Sequence, residues 1–311
     1  MRIRTADLLL TMETLYLLSY RGLAKCPVRA APTHQDTHWA TGRANRLKSD
    51  RHNVVLGEYP TVTQEVRVII DAHVHLGTCR VFGRDLRAEV VLESMDNHGI
   101  SLSIVQPYPG APDARQVHDD IAALRESSGG RVVGLASFNP HRDQAEYFAE
   151  IERCVRSLGF VGVKLHTIGH AVDPGSADGE TVFTTARELG VPVMVHTGPG
   201  LPFADPALLI ARARAFPEVT VVLAHAGAAI VTGNAIAAAE VCDNIVLETS
   251  WCKPGDIAVM IARVGADRVM FGTDAPNNVS AELAKYEALG LTAPERDAVL
   301  SGTASRVFGL S

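Results

Sequence analysis

From residue 66 onward the chain alternates between two patterns. Short apolar runs rich in β-branched residues occur at VRVIID (66–71), LSIVQP (102–107), RVVGLAS (131–137), FVGVKLH (160–166), VPVMVH (191–196), VTVVLAH (219–225), NIVLETS (244–250) and RVMFGTD (268–274). Near-continuous apolar runs are what parallel strands buried on both faces require. Between them lie amphipathic stretches such as RAEVVLESMDNHGI (87–100) and QAEYFAEIERCVRSLG (144–159), with apolar residues at three- and four-residue steps and a glycine near the end. The runs return about every 25–35 residues, the length of one strand–helix unit. Eight such units predict an α/β chain folded as a (β/α)8 TIM barrel over residues 66–311. The alternative, an open doubly wound sheet, normally carries a glycine-rich phosphate loop after its first strand; here that strand runs into Asp-Ala-His-Val-His.

Residues 1–65 do not follow the pattern. The apolar run Leu8–Tyr20 is broken by Thr11, Glu13 and Thr14, lacks a clear cleavage site, and is too short and polar to span a bilayer. Residues 30–60 mix Pro, His, Arg, Asn and Asp without periodicity. The segment reads as a non-catalytic N-terminal extension, irregular or disordered, whose deletion to residue 60 is expected to leave metal content and activity unchanged.

Charge and cysteine content narrow the function classes. The net charge of the 311-residue chain is -6, with an excess of basic groups in residues 1–65 and an acidic body. An acidic body gives no reason to expect a nucleic-acid partner. The five cysteines (Cys26, Cys79, Cys154, Cys242, Cys252) are odd in number and scattered, which points to reduced thiols and a cytoplasmic setting. Cys252, near a strand end, reads as a buried inert thiol. Barrels of this kind often form homodimers, and Leu8–Tyr20 is the candidate contact.

Most of the unusual polar residues fall at the C-terminal ends of the apolar runs, the face on which barrels carry their chemistry. Asp71, His73 and His75 are spaced by two, so they are expected on one side of the first strand. Lys164 and His166 share that spacing on the fourth. His196, His225 and Asp274 end the fifth, sixth and eighth. An HxH pair alone is weak evidence, and a lone His196 or His225 reads more readily as a hydrogen-bonded core residue. Imidazoles and a carboxylate ending four strands on one face are costly to bury unless something binds them, and a metal ion is the simplest such partner. Arg80 and Arg84 after the first strand, Tyr108 after the second and His166 are candidate substrate contacts; Trp251 is a candidate pocket wall. His34, His38 and His52 are expected to be solvated and His98, His118 and His141 to be surface groups; His170, in the loop after the fourth run, is expected to be exposed, with an approach to the substrate as the alternative.

The stretches IIDAHVHLG (69–77), GVKLH (162–166), VMVHTG (193–198), LAHAG (223–227), FGTDAP (271–276) and ERDAVLSGTASRVFGL (295–310) resemble, in the same order, the amidohydrolase superfamily. The likeness is to its amidohydrolase-2 branch, which includes the aminocarboxymuconate-semialdehyde decarboxylase group. Thr303 departs from a frequent Asn and Thr167 from a frequent Pro. The resemblance implies that His73, His75, His196 and Asp274 hold a divalent metal, most often zinc. It makes His225 a catalytic histidine beside the ion, and Asp274 a group that also transfers a proton. Lys164 is then either a carbamylated bridge between two ions or, as favoured with one ion, a free cation for a substrate carboxylate.

Two reactions fit this set. The leading expectation is hydrolysis of an amide, ester or lactone bond in a small, anionic molecule by metal-activated water. The alternative is non-oxidative decarboxylation of a small unsaturated or aromatic carboxylic acid, with His225 or Asp274 managing the proton. A barrel that binds a small ligand without turnover is a third reading, disfavoured because the candidate residues are all intact.

Overall fold

The computed structural model describes residues 67–310, so the N-terminal extension 1–65, including Leu8–Tyr20 and the histidines at 34, 38 and 52, lies outside the described residues. Strands β1 (Ile70–Cys79), β3 (Leu102–Pro107), β4 (Val132–Ala136), β5 (Gly162–Leu165), β6 (Val193–His196), β7 (Val221–Ala224), β8 (Ile245–Glu248) and β9 (Val269–Met270) pair in parallel in that order. The short β2 (Arg84–Leu86) folds back antiparallel on the end of β1. The sheet closes on itself between β9 and β1: Ala72 N–H donates to the Phe271 carbonyl at 3.1 Å, and Asp274 N–H to the His73 carbonyl at 2.7 Å. Val74 and Asp274 are bridge partners across the same seam. Helices alternate with the strands, among them α1 (Ala88–His98), α2 (Ala114–Ser127), α3 (Gln144–Glu152), α4 (Ala177–Leu189), α5 (Leu209–Ala215), α6 (Thr232–Val241), α7 (Pro254–Val264), α8 (Val279–Ala288) and α9 (Thr303–Phe308). Seven of the eight predicted runs contain one of the parallel strands, and the first (66–71) meets β1 only at Ile70 and Asp71, since that strand runs on through the His-Val-His segment to Cys79; eight parallel strands are what a (β/α)8 barrel requires.

Two-residue alternation sorts the strand side chains into two cores. Val193 and Val195, Val221 and Leu223, and Ile245 and Leu247 pack outward against the helices. Met194, Val222, Ala224 and Val246 fill the barrel interior with Ile70, Ala72, Ile104, Leu135 and Met270, and α9 caps the floor with Ala304 and Phe308. Extending the interior phase by one step toward the C-terminal ends brings His196 and Glu248 inward.

Strand β1 breaks this phase. Ile70 and Ala72 belong to the interior, whereas Val74 and Leu76 belong to the outer core, and the pairing with β3 shifts register between Asp71 and Val74. A bulge of this kind re-aims the residues that follow it, and here it turns His73 and His75 inward. Asp71 stays out of phase with them. Its carboxylate accepts from Thr273 N–H at 3.0 Å and Thr273 Oγ at 2.6 Å, and so stitches the seam of the barrel. The expectation that Asp71, His73 and His75 share one side is therefore corrected at Asp71. Among the described residues no helix is long and apolar enough to cross a membrane.

Candidate metal centre

The bulge on β1 sets the two histidines face to face. His75 Nδ1 lies 3.2 Å from the Pro107 carbonyl, which can only accept, so this nitrogen carries the proton and Nε2 the lone pair. His73 Nδ1 lies 2.8 Å from Glu248 Oε2, the carboxylate–histidine arrangement that orients a metal ligand. The two Nε2 atoms are then 3.3 Å apart, and Asp274 Oδ1 stands 3.4 Å from one and 3.3 Å from the other. Two imidazole nitrogens and a carboxylate oxygen thus converge on one point, with Lys164 Nζ 3.0 Å from His73 Nε2 and Gln106 Nε2 3.4 Å from His75 Nε2 at its edge, a donor set that suits a cation. Donors held about 2.0–2.1 Å from a tetrahedral ion stand roughly 3.3–3.4 Å apart. The triangle His73–His75–Asp274 therefore fits a divalent ion on its own dimensions.

Glu248 organises the floor of the site. Its buried carboxylate takes His73 Nδ1, the His225 and Ser250 backbone N–H groups at 3.1 and 2.6 Å, and the Ser250 hydroxyl at 2.9 Å. The Ser250 oxygen in turn lies 2.8 Å from His225 Nδ1. With its hydroxyl proton on Glu248, Ser250 accepts from that nitrogen, which leaves the His225 Nε2 lone pair free. Room for Glu248 depends on Gly272: a Cβ there would stand 2.5 Å from Glu248 Oε1.

Backbone strain collects at the same rim. His225, Trp251 and Asp274 have φ of 66°, 65° and 66°, the left-handed region that side chains other than glycine rarely adopt. Such residues cost about 1–3 kcal/mol each and persist only where their surroundings fix them. All three amides are fixed: His225 N–H donates to Glu248, Trp251 N–H to Glu282 at 2.9 Å, and Asp274 N–H to the His73 carbonyl.

The other expected residues are placed as follows. His196 packs its ring on His166 with centroids 4.2 Å apart and stands 4.9 Å from His225. It is outside the tight triangle, and its Nδ1 is buried without a hydrogen-bond partner. His166 Nδ1 accepts the Gly169 N–H at 3.0 Å, so its Nε2 is the protonated, donating nitrogen. Lys164 is buried, with Nζ 3.0 Å from His73 Nε2. Thr167 uses its hydroxyl to hold the His196 carbonyl at 2.9 Å. Tyr108 stacks on His75 at 4.6 Å and hydrogen-bonds Arg84. Trp251 is half-exposed, and its indole N–H donates to Asp274 Oδ2 at 2.9 Å. Cys252 is buried with its thiol on the His225 carbonyl. Arg80 is exposed in the turn after β1, with its backbone N–H on the Gly110 carbonyl at 3.1 Å.

Burial governs the protonation states. It pushes His225 down to about 3 and holds His73, His166 and His196 well below the usual imidazole range, with Lys164 adding to the effect at each. It also lowers Lys164 to about 8, against the pull of Asp274 and Glu248. For Asp274 burial acts upward but is overruled by its close contact with His75 and by the neighbouring His225 and His73, so its carboxyl lies well below the ordinary range. Asp71 is pushed up to about 8 by burial, against its Thr273 hydrogen bond.

Sequence reasoning overlooked Glu248 and Ser250, although the alternation of NIVLETS from Val246 already placed Glu248 inward. It also misjudged His118 and His170, expected to be exposed. Both are buried: His118 in a network with Glu150, and His170 behind His166, whose N–H it accepts at 3.4 Å.

The comparisons with known proteins bear on the reaction. A curated relative, Decarboxylase orsB of Emericella nidulans, is 33% identical over 113 residues, 34% of this chain and 34% of its own length, so the match spans about a third of that protein. A dihydroxybenzoic acid decarboxylase from a Polaromonas species, solved with manganese and the inhibitor 2-nitroresorcinol, has a TM-score of 0.63 at 20% identity over 78% of this chain and 97% of its own. A 5-carboxyvanillate decarboxylase from Novosphingobium aromaticivorans, complexed with manganese and 4-hydroxy-3-methoxy-5-nitrobenzoic acid, gives 0.64 at 17% over 79% and 97%. These likenesses are to decarboxylases, which overturns the expectation of amide, ester or lactone hydrolysis. The amidohydrolase-2 family model matches residues 70–310, essentially the whole barrel. The chain is an enzyme of the amidohydrolase superfamily and belongs to its amidohydrolase-2 family.

Proposed function

We propose that the chain is a metal-dependent, non-oxidative decarboxylase of small aromatic carboxylic acids. The observation that carries this reading is the 33% identical stretch shared with a fungal decarboxylase, supported by structural likeness to decarboxylases of hydroxylated aromatic acids. His73, His75 and Asp274 would hold the ion, with His196 completing the set through its unpartnered nitrogen. One ion is favoured over two, because the second cluster of donors, His73–His225–Glu248, shares His73 and has its carboxylate already taken by four donors. Lys164 then remains an amine. Manganese, present in both related structures, is preferred here to zinc.

A bound divalent ion would supply positive potential to the carboxylate and an adjacent ring oxygen of the substrate. The protein supplies the rest. His166 Nε2–H and Lys164 are the donors for substrate oxygens, and Tyr108 and Trp251 offer aromatic faces to a flat ring. His225 rests neutral with Nε2 free, so it can take the proton of a ring hydroxyl and return it to the carbon that bears the carboxylate. That carbon gains hydrogen, its bond to the carboxylate breaks, and the bond pair returns to the ring as CO2 leaves. The hydroxyl proton is regained from solvent, so that one proton is consumed per CO2. Four described cysteines are buried and unpaired, which supports a cytoplasmic setting. Incubating manganese-loaded protein with a panel of hydroxybenzoates and methoxy-hydroxybenzoates tests the proposal. Release of CO2 with matching loss of one acid is expected; a full panel without CO2 would refute it.

A further inference from the structure

Trp251 is a costly residue where it stands. A large aromatic side chain at φ 65° works against its own backbone, and the ring is left 43% exposed, so burial does not repay the strain. The surroundings nevertheless fix the conformation. Trp251 N–H donates to Glu282 Oε1, which also accepts from Asn278 Nδ2 at 2.9 Å, while the same Asn278 nitrogen donates to the Thr273 carbonyl at 3.0 Å. Lys285 pairs with the other oxygen of the buried Glu282 at 2.6 Å. The peptides before Asp274 and at Trp251 are thereby held in one frame. Within that frame the indole N–H reaches Asp274 Oδ2 at 2.9 Å, while Asp274 Oδ1 faces the two histidines.

We propose that Trp251 is a positioning residue for the metal centre: its indole N–H holds Asp274 so that Oδ1 alone addresses the ion. An indole suits this task. It donates one hydrogen bond, cannot accept one, and cannot be ionised. It therefore occupies Oδ2 without neutralising the carboxylate or competing with the cation for it, which a lysine or arginine at the rim would do. Removal of the N–H would let the carboxylate turn and would loosen the triangle. Partners that orient a ligand in this way typically contribute about 10–100-fold in metal affinity. The inference rests on the metal reading of the site and not on which acid is decarboxylated.

The test is calorimetric titration of metal-stripped full-length protein with Mn2+, comparing the parent with Trp251→Phe and Trp251→Gly. Trp251→Phe keeps the ring and loses the donor; Trp251→Gly also releases the backbone strain. Both are expected to weaken Mn2+ binding about 10-fold or more, with the melting temperature of the metal-free Gly variant equal to or above that of the parent. At saturating Mn2+ the Phe variant should lose kcat while KM stays within about two-fold, where a mere pocket wall would move KM. Affinity for Mn2+ in Trp251→Phe within two-fold of the parent would overturn the proposal, as would weakened binding matched by a lower melting temperature of the metal-free protein in both variants. A parent that binds no Mn2+ would overturn this inference and the metal reading together. Mn2+ binding that behaves as stated, with no CO2 released from any acid, would defeat only the decarboxylase reading.

Discussion

His73 and His118 look alike at first: both are fully buried, and each places Nδ1 2.8 Å from the carboxylate of a buried glutamate. They differ at the second nitrogen. His118 Nε2 accepts the Ser137 N–H at 3.1 Å, and its partner Glu150 is further bound by Arg115 and Arg153 at 2.8–3.2 Å, with the Cys154 thiol at 3.5 Å. Every strong polar group in that cluster has a partner, and it ties the end of β4 to α2 and α3. His73 Nε2 instead faces His75 Nε2 and the Asp274 carboxylate, with Lys164 Nζ at 3.0 Å. The donor types alone, His with Glu and Cys, would nominate both places as metal sites. Convergence separates them: His118 and Glu150 spend their groups on one another and on neighbours, whereas His73, His75 and Asp274 turn their acceptor atoms to one shared point, as the proposed metal site requires.

Substitutions should pull the two clusters apart. The largest effect is expected from Asp274→Asn, which removes the anionic corner of the triangle; decarboxylation measured by CO2 release should fall by about a thousand-fold or more, with little change in melting temperature. His118→Ala should do the reverse. It strands the Ser137 amide and opens a cavity, at a cost of about 2–4 kcal/mol in urea unfolding, while Mn2+ stoichiometry stays that of the parent. Glu248→Gln, which leaves the shape of the site but weakens the orientation of His73, is expected to lower Mn2+ affinity about 10–100-fold by titration. Equal loss of metal in the His118 and Glu248 variants would erase the distinction.

The closed cluster also carries a pH signature. Burial alone would raise the Glu150 carboxyl, but hydrogen bonds from His118 and Arg153 bring it down to about 2 from an ordinary 4.5. Because the folded value is depressed, its stabilisation is fully present above pH 4.5 and is lost as pH falls from there toward 2. The contribution is on the order of 2 kcal/mol. In melting curves between pH 7 and 3, Glu150→Gln should therefore narrow its deficit relative to the parent as the pH drops. A deficit constant over that range would contradict this account of the tie.

Much of the barrel is legible in the sequence because strand burial on two sides leaves a direct mark. Val193-Met194-Val195 and Val221-Val222-Leu223 can be read as parallel strands without a structure. The residues that end those runs are legible for the same reason, since His196 and Asp274 stand where an apolar run stops. The phase of β1 was not legible: Asp-Ala-His-Val-His has an unbroken two-residue spacing, and only the bulge at the seam separates Asp71 from His73. The buried state of His118 was equally hidden, because its partner Glu150 is 32 positions away on another helix. The choice between hydrolysis and decarboxylation did not follow from the cluster either, since one set of ligands can serve both.

The most direct test of the central claim is decarboxylation in D2O. Manganese-loaded protein should convert a hydroxybenzoate substrate to CO2 and the corresponding phenol, with one deuterium at the ring carbon that carried the carboxylate. The reaction should vanish on metal removal and in Asp274→Asn. Turnover that persists without metal, or a product lacking deuterium at that carbon, would contradict the assignment of the His73–His75–Asp274 triangle as the reaction centre.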